Sequence, residues 1–174
     1  EVPSSLYSIL GDDLYGHRII NDLQKAGVDF KYDIDPAGTE RHVNLMNAAG
    51  NRISMFITQS STQPSYNQTM VNEMLDNSGM LVLNIIAYCK AFIPLLKGYT
   101  KPIWTDLHDY TDKNPYHEPF IDAASTIFLS SDNLTDYKQT MQELISRGKQ
   151  LVICTHGGAG STALTATGEW FDEP

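Results

Sequence analysis

The 174-residue sequence holds no apolar run that approaches a bilayer span: the longest, Met80 to Ile86, is broken by Asn84, whereas a spanning helix needs about 20 apolar residues. Cysteine is scarce. Cys89 and Cys154 are too few for a disulfide framework and form no CxxC pair or Cys/His cluster of the kind that binds zinc, so a reducing compartment, the cytoplasm, is expected. The first five residues, Glu1-Val2-Pro3-Ser4-Ser5, have neither the basic nor the apolar region of a signal peptide. Without one, the sequons at Asn67-Gln68-Thr69 and Asn133-Leu134-Thr135 read as chance. Positive charge is also short. Twelve Lys+Arg face 21 Asp+Glu, a net charge of -9 and a pI near 4.8, which repels a phosphate backbone unless a local basic patch offsets it. Lys90, Lys97, Lys101, Lys113 and Lys138 form no run, so neither nucleic acid nor a membrane is an expected partner. No Gly-Lys-[Ser/Thr] follows the glycine-rich stretch, which excludes a Walker A loop, and no Gly-x-Ser-x-Gly nucleophile elbow occurs.

What is present is a globular composition, 41% hydrophobic and 10% aromatic, of a length that suggests one domain. Short apolar runs alternate with helical patterns. Leu6 to Leu10 reads as a strand, with Asp12 and Asp13 placed for a helix N-cap, Ile19, Ile20 and Leu23 on one helical face, and Gly27 as its stop. Phe30 to Ile34, Arg41 to Met46 and Ile53 to Ile57 then read as consecutive strands, the last two joined through Ala48-Ala49-Gly50-Asn51. This is a small antiparallel sheet inserted in an otherwise regular pattern. The alternation resumes with a helix over Tyr66 to Leu75, a buried strand over Met80 to Ile86, and a helix over Ala87 to Leu96 weakened by Pro94. Beyond it come a strand at Ile103 to Thr105, a helical piece at Phe120 to Ala124, a strand at Thr126 to Leu129, a helix over Thr135 to Arg147 ended by Gly148, and a strand at Leu151 to Thr155. Ser161 to Thr165 and Trp170-Phe171, turning at Ala166-Thr167-Gly168, read as a final hairpin.

Strand, helix, strand in succession implies parallel strands with right-handed crossovers, and the apolar Leu151-Val152-Ile153 suits a strand buried on both faces. The expected class is α/β, with a doubly wound, mainly parallel sheet. In such sheets ligands bind beyond the carboxyl ends of the strands, which singles out Asp106, Ser130-Ser131-Asp132 and Thr155-His156-Gly157-Gly158-Ala159-Gly160. The glycine stretch is either a tight turn into the final hairpin or an anion-binding nest for nucleotide phosphates. Asp106 either caps local N–H groups or, with His108 and Asp109, binds a polyol, a metal or a proton; the spacing suits no particular metal. Arg52, at the start of a strand in the inserted sheet, is either a solvated charge or reaches a phosphate if that sheet covers a site. His108, His117 and His156 are scattered and define no dyad.

Taken together, these words resemble a known family. Gly11-Asp12-Asp13-Leu14-Tyr15-Gly16 followed by Ala26-Gly27-Val28-Asp29, then Gly38-Thr39 and Gly50-Asn51-Arg52, then Leu151 to Gly160, are similar in order and spacing to motifs of the ribokinase-like (PfkB-type) carbohydrate kinases. The resemblance covers most of the chain. It implies a doubly wound α/β core with residues 30–57 as a small β lid, and ATP-dependent phosphorylation of a sugar, nucleoside or related alcohol with ATP and Mg²⁺. It places Thr155 and Gly157 on the nucleotide side, where Ser131 and Gly160 are also assigned, and Asp106, with Arg52, on the substrate or phosphate side. Separately, such a lid has one face with no core to cover, so that face is expected to pair with a second subunit as a homodimer.

The departures are specific. The family's N-terminal sugar-binding half-site would precede Glu1, and its D-T-x-G-A-G-D word, with the anion hole and the catalytic Asp, would follow Pro174. The resemblance thus implies the central portion of a kinase, with no catalytic base among these residues. The family's NxxE word reads Ser130-Ser131-Asp132-Asn133, and no Mg²⁺ ligand is assigned. A non-catalytic nucleotide- or sugar-binding module of the same fold is the alternative. A flavodoxin-like or Rossmann-type domain is disfavoured by the lack of GxGxxG after the first strand.

Overall fold

The computed structural model describes residues 3–48, 52–111 and 114–174, which form two compact units, Glu1–Asn77 and Ser78–Pro174. In the first, β1 (Ser5–Leu10), α1 (Leu14–Lys25) and β2 (Asp29–Ile34) make a β-α-β unit. The two strands run parallel, from Ser5 opposite Asp29 to Leu10 opposite Ile34. The helix begins at Asp13, whose carboxylate accepts from Tyr15 N and Gly16 N, and Gly27 follows its end at φ 72°. Only part of the expected α1 face is covered: Ile20 and Leu23 are half-buried, and Ile19 is exposed.

The next two strands, β3 (Arg41–Met46) and β4 (Arg52–Thr58), form a separate antiparallel ribbon. The expectation of one inserted sheet over 30–57 is corrected here. Phe30 to Ile34 lies in the parallel pair with β1, because the α1 crossover returns the chain alongside β1 in the same direction. The turn at 49–51 falls outside the described residues. α2 (Gln68–Asn77) closes this unit.

The second unit carries a six-stranded sheet in the order β10-β9-β8-β7-β6-β5, built from β5 (Leu81–Val82), β6 (Ile103–Asp106), β7 (Thr126–Ser130), β8 (Leu151–Thr155), β9 (Ser161–Thr165) and β10 (Trp170–Glu173). Strands β5 to β8 are parallel, and β9 and β10 add antiparallel as the expected hairpin. The strand expected over Met80 to Ile86 shrinks to two residues. It is the sheet's edge, Val82 is exposed, and the chain leaves the ladder after Leu83 N donates to Trp104 O. Residues Ala87–Leu96 then run as successive 3₁₀ turns rather than an α-helix; Pro94 has no N–H to give an α-helical ladder.

The core of this unit lies on β7 and β8. Ile127, Val152, Cys154 and Met141 are fully buried, as are Phe120 and Ile121 of α3 (Glu118–Ala123). Thr140, Met141 and Leu144 form the buried stripe of α4 (Tyr137–Ser146). Lys149 is buried too, and desolvation pushes its pKa below the ordinary lysine value. Its ammonium donates to Ile121 O and Ala124 O, closing the carbonyl end of α3.

In the first unit a polar latch replaces such a core. Asp13 Oδ2 accepts from Thr39 N at 2.9 Å and Asp13 Oδ1 from Thr39 Oγ1 at 2.9 Å, while Thr39 Oγ1 accepts from Gly11 N at 3.0 Å. One carboxylate therefore holds the start of α1 and the turn after β2 together. These donors, led by Thr39 N, bring its pKa from 3.8 down to about 2. The folded form then binds fewer protons than the unfolded one across that interval, so the latch contributes fully above 3.8 and is lost as pH falls through 2. Asp13→Ala should lower Tm near neutrality. The difference in Tm from the parent should shrink steadily between pH 4 and about pH 2, read by circular dichroism melts; a constant difference over that interval would refute the latch.

Candidate functional site

The parallel register continues one bond past each strand end. Leu107 N donates to Phe128 O, Ser130 N to His108 O, and Ser131 N to Thr155 O. The loops after β6, β7 and β8 are thereby brought abreast at the carboxyl edge of the sheet, where α/β sheets bind ligands. Three of the stretches singled out in the sequence meet there: Asp106 with His108, Ser130 with Ser131, and Thr155 with the glycine turn.

Asp106 serves its own loop. Its Oδ1 accepts from His108 N at 2.8 Å and its Oδ2 lies 3.4 Å from His108 Nδ1. His108 adopts φ 55°, a left-handed conformation that is uncommon outside glycine. Asn133 donates to Asp109 O, tying the β6 and β7 loops together. Arg52 starts β4 opposite Met46, in the other unit; its side chain is outside the described residues.

The glycine stretch is a tight turn between β8 and β9. His156 N donates to Gly160 O, Ala159 N to His156 O and Gly160 N to Gly157 O. Its glycines are not equivalent. Gly160, at φ 89°, has no room: a Cβ there would lie 2.0 Å from Glu173 O. A Cβ on Gly157 or Gly158 would meet nothing within 4 Å, although Gly157 holds φ 59°. The turn therefore has an open side at 157–158 and a closed side at 160, against the end of β10. Thr155 Oγ1 donates back to Leu129 O.

Sequence reasoning passed over His156. Its Nδ1 is 3.0 Å from Ser131 Oγ and its Nε2 3.0 Å from Thr162 Oγ1, and Thr162 donates to Asp172 Oδ1 at 2.7 Å. The Tyr137 ring lies 4.6 Å from the imidazole. No sequence spacing signals this set, because its members come from the β7 loop, α4, the glycine turn, β9 and β10. His117 is buried between Tyr110 and Tyr116, with burial lowering its pKa and no partner at Nδ1. Cys154, pushed up to about 11 mainly by burial, is an inert thiol.

A second cluster sits at the carboxyl ends of β1 and β2. Asp35 is buried and accepts from Ala37 N, Ser61 N and Ser61 Oγ. Glu40 accepts from Ser60 N and Ser60 Oγ. With Asp13, these carboxylates are taken up by the chain's own donors, which suits a scaffold holding two loops. Among the described residues, no three His, Cys, Asp or Glu side chains gather as metal ligands. No helix among them is long and apolar enough to cross a membrane.

The asymmetry of the turn is testable in urea. Gly160→Ala should lose more than about 2 kcal/mol of stability, from left-handed strain and a backbone clash. Gly158→Ala should stay within about 0.5 kcal/mol of the parent. Equal losses would mean the turn is packed throughout.

No family model matches the chain. In sequence it is 27% identical over 158 residues to an acarbose 7(IV)-phosphotransferase of Actinoplanes sp., a match covering 90% of this chain and 53% of that protein. Among solved structures, a microbiome-derived acarbose kinase superposes with a TM-score of 0.78 at 24% identity, over 90% of this chain and 53% of the other. An Arabidopsis thaliana ribokinase, solved with ribose and ATP, superposes with a TM-score of 0.73 at 14% identity, over 97% of this chain and 61% of the other. The chain spans about half the length of the curated relative it matches. It has the ribokinase-like α/β fold, and its sequence is similar to that of a carbohydrate phosphotransferase.

Proposed function

We propose that this chain is part of an ATP-dependent carbohydrate kinase acting on a sugar or a sugar-like alcohol, with acarbose, ribose and fructose as the first substrates to test. The observation that carries the reading is the match to a carbohydrate phosphotransferase along 158 residues, 90% of this chain. A cytoplasmic setting, which supplies ATP and keeps Cys89 and Cys154 as thiols, is part of it.

Phosphoryl transfer depends mostly on positioning and on stabilising charge. In this reading Ser131, Thr155, Gly157 and Gly160 border the nucleotide. The open side of the turn at 157–158 lets backbone approach phosphates closely, and the clash at Gly160 holds the turn in shape. Asp106 and Arg52 stand on the sugar or phosphate side. Asp106 is engaged by its own loop through His108, and in this reading the base and the main anion hole belong to a segment other than these residues. Mg²⁺ bound to the nucleotide phosphates would shield their charge, and no residue of this chain is assigned to hold it. In this reading the β3–β4 ribbon is the β lid of the ribokinase-like family.

The test is sugar-dependent ADP release by the full gene product and by the 174-residue chain alone. The full product should turn over with at least one of the three sugars, and the chain alone should fall short by several orders of magnitude, since general-base help contributes about 10²–10⁴-fold and oxyanion donors a comparable factor. In the full product, Gly158→Val should raise the ATP KM severalfold and leave the sugar KM unchanged. ADP binding without turnover on any sugar would favour a non-catalytic binding module.

The ribbon also supports a homodimer. Cross-strand register puts Val43 opposite Met55 and Leu45 opposite Ile53, and all four side chains are exposed, giving one apolar face. The other face carries the Asn44–Ser54 hydrogen bond and the His42–Phe56 ring pair. An exposed apolar strand pair is a docking surface for a second copy. Leu45→Glu with Ile53→Lys should convert a dimer to a monomer in light scattering; a monomeric parent would refute the pairing.

A further inference from the structure

The hydrogen-bond polarity of the His156 set determines what Ser131 can offer a ligand. Thr162 has one hydroxyl proton and donates it to Asp172 Oδ1. Toward His156, Thr162 Oγ1 can therefore only accept, and the imidazole proton must sit on Nε2. A neutral imidazole protonated at Nε2 has a bare Nδ1, so Ser131 donates its own proton to it across 3.0 Å. Ser131 then presents only lone pairs to the carboxyl edge. Its backbone is held in place, with N donating to Thr155 O and O accepting from Leu134 N.

Protonation reverses this. With Nδ1–H present, His156 donates to Ser131 Oγ, and the Ser131 proton turns outward. The edge gains a hydrogen-bond donor with a positive charge one bond behind it. Both changes favour an anion, and charge-assisted donors are the stronger kind. The open face of the glycine turn, at Gly157 and Gly158, lies in the same loop as His156.

We infer that Ser131, His156, Thr162 and Asp172 form a proton-linked anion subsite, in which a phosphate group binds at the Ser131 hydroxyl with uptake of one proton at His156 Nδ1. His156 is a positioning residue here: it acts on the ligand through Ser131. The proton comes from solvent and stays on the imidazole while the anion is bound. The inference rests on the nucleotide-side reading of Ser131 proposed above and goes beyond it, since that reading assigns His156 nothing. Other charged and titratable groups stand around the ring. Tyr137 of α4 faces it directly, Lys138 lies 5.9 Å from the Tyr137 ring and 5.7 Å from the Trp170 ring of β10, Asp132 follows Ser131, and Asp172 acts through Thr162.

The experiment uses the full gene product with ADP as the probe. In the ligand-free protein, nitrogen-15 NMR should show neutral His156 protonated at Nε2. Calorimetry in buffers of different ionisation enthalpy should give net proton uptake on ADP binding. Affinity should fall as pH rises, by up to about tenfold per pH unit where one proton is taken up on binding. Thr162→Val removes the acceptor that fixes the tautomer and should flatten that dependence by strengthening binding at pH 8. His156→Gln, which offers an amide to Ser131 but does not titrate, should abolish the proton uptake. An Nδ1–H tautomer in the free protein, or ADP bound with pH-independent affinity and no proton uptake, overturns the subsite and leaves the nucleotide reading standing. No ADP binding at any pH overturns both.

Discussion

The parallel register of β6, β7 and β8 is the constraint on which the second unit depends. A ladder of evenly spaced, slanted bonds leaves unpaired backbone groups where the strands end, and buried groups of that kind must find partners. Here each following loop supplies one: Leu107 N to Phe128 O, Ser130 N to His108 O, Ser131 N to Thr155 O. The geometry of the carboxyl edge is thus an extension of the sheet. Side chains separated by roughly two dozen residues in sequence stand side by side because their backbones share bonds.

The two units solve the same edge problem by different means. In the first, Asp13, Asp35 and Glu40 accept bonds from loop amides and hydroxyls, and little of their capacity is left for a ligand. In the second, the edge is held by backbone bonds, and polar side chains such as Ser131 and His156 remain half-exposed. The latch of the first unit reads as scaffold, and the anion subsite is proposed in the second. Buried Lys149 belongs with the scaffold, since its ammonium is taken up by carbonyls at the end of α3.

Much of this was legible in order along the chain. Apolar runs and the period-3.6 pattern located β7, β8 and α4 because each buries an apolar stripe; the turn residues at 166–168 located the final hairpin, whose last strand is exposed. The pattern misled where burial and strand pairing part company. Phe30 to Ile34 has strand composition whichever partner it takes, and only the α1 crossover decides that it lies parallel to β1. Met80 to Ile86 is apolar enough for a central strand, yet just two of its residues pair, at a sheet edge. Pro94 marked the weak point of the 87–96 helix, and the chain answers with 3₁₀ turns.

By itself the sequence determined the alternation that makes an α/β fold, the cap at Asp13, the glycine turn after β8 and the words that resemble carbohydrate kinases. These are local properties, set by side-chain periodicity and by which residues tolerate a given backbone angle. Tertiary structure alone decided which glycine is indispensable, since Gly160 is confined by the end of β10 and Gly158 by nothing. It alone joined Ser131, His156, Thr162 and Asp172, four residues on four segments whose hydrogen bonds have a direction only when all are in place. A hydroxyl has one proton to give, so its role depends on every neighbour at once, and no pairwise spacing in the chain encodes that.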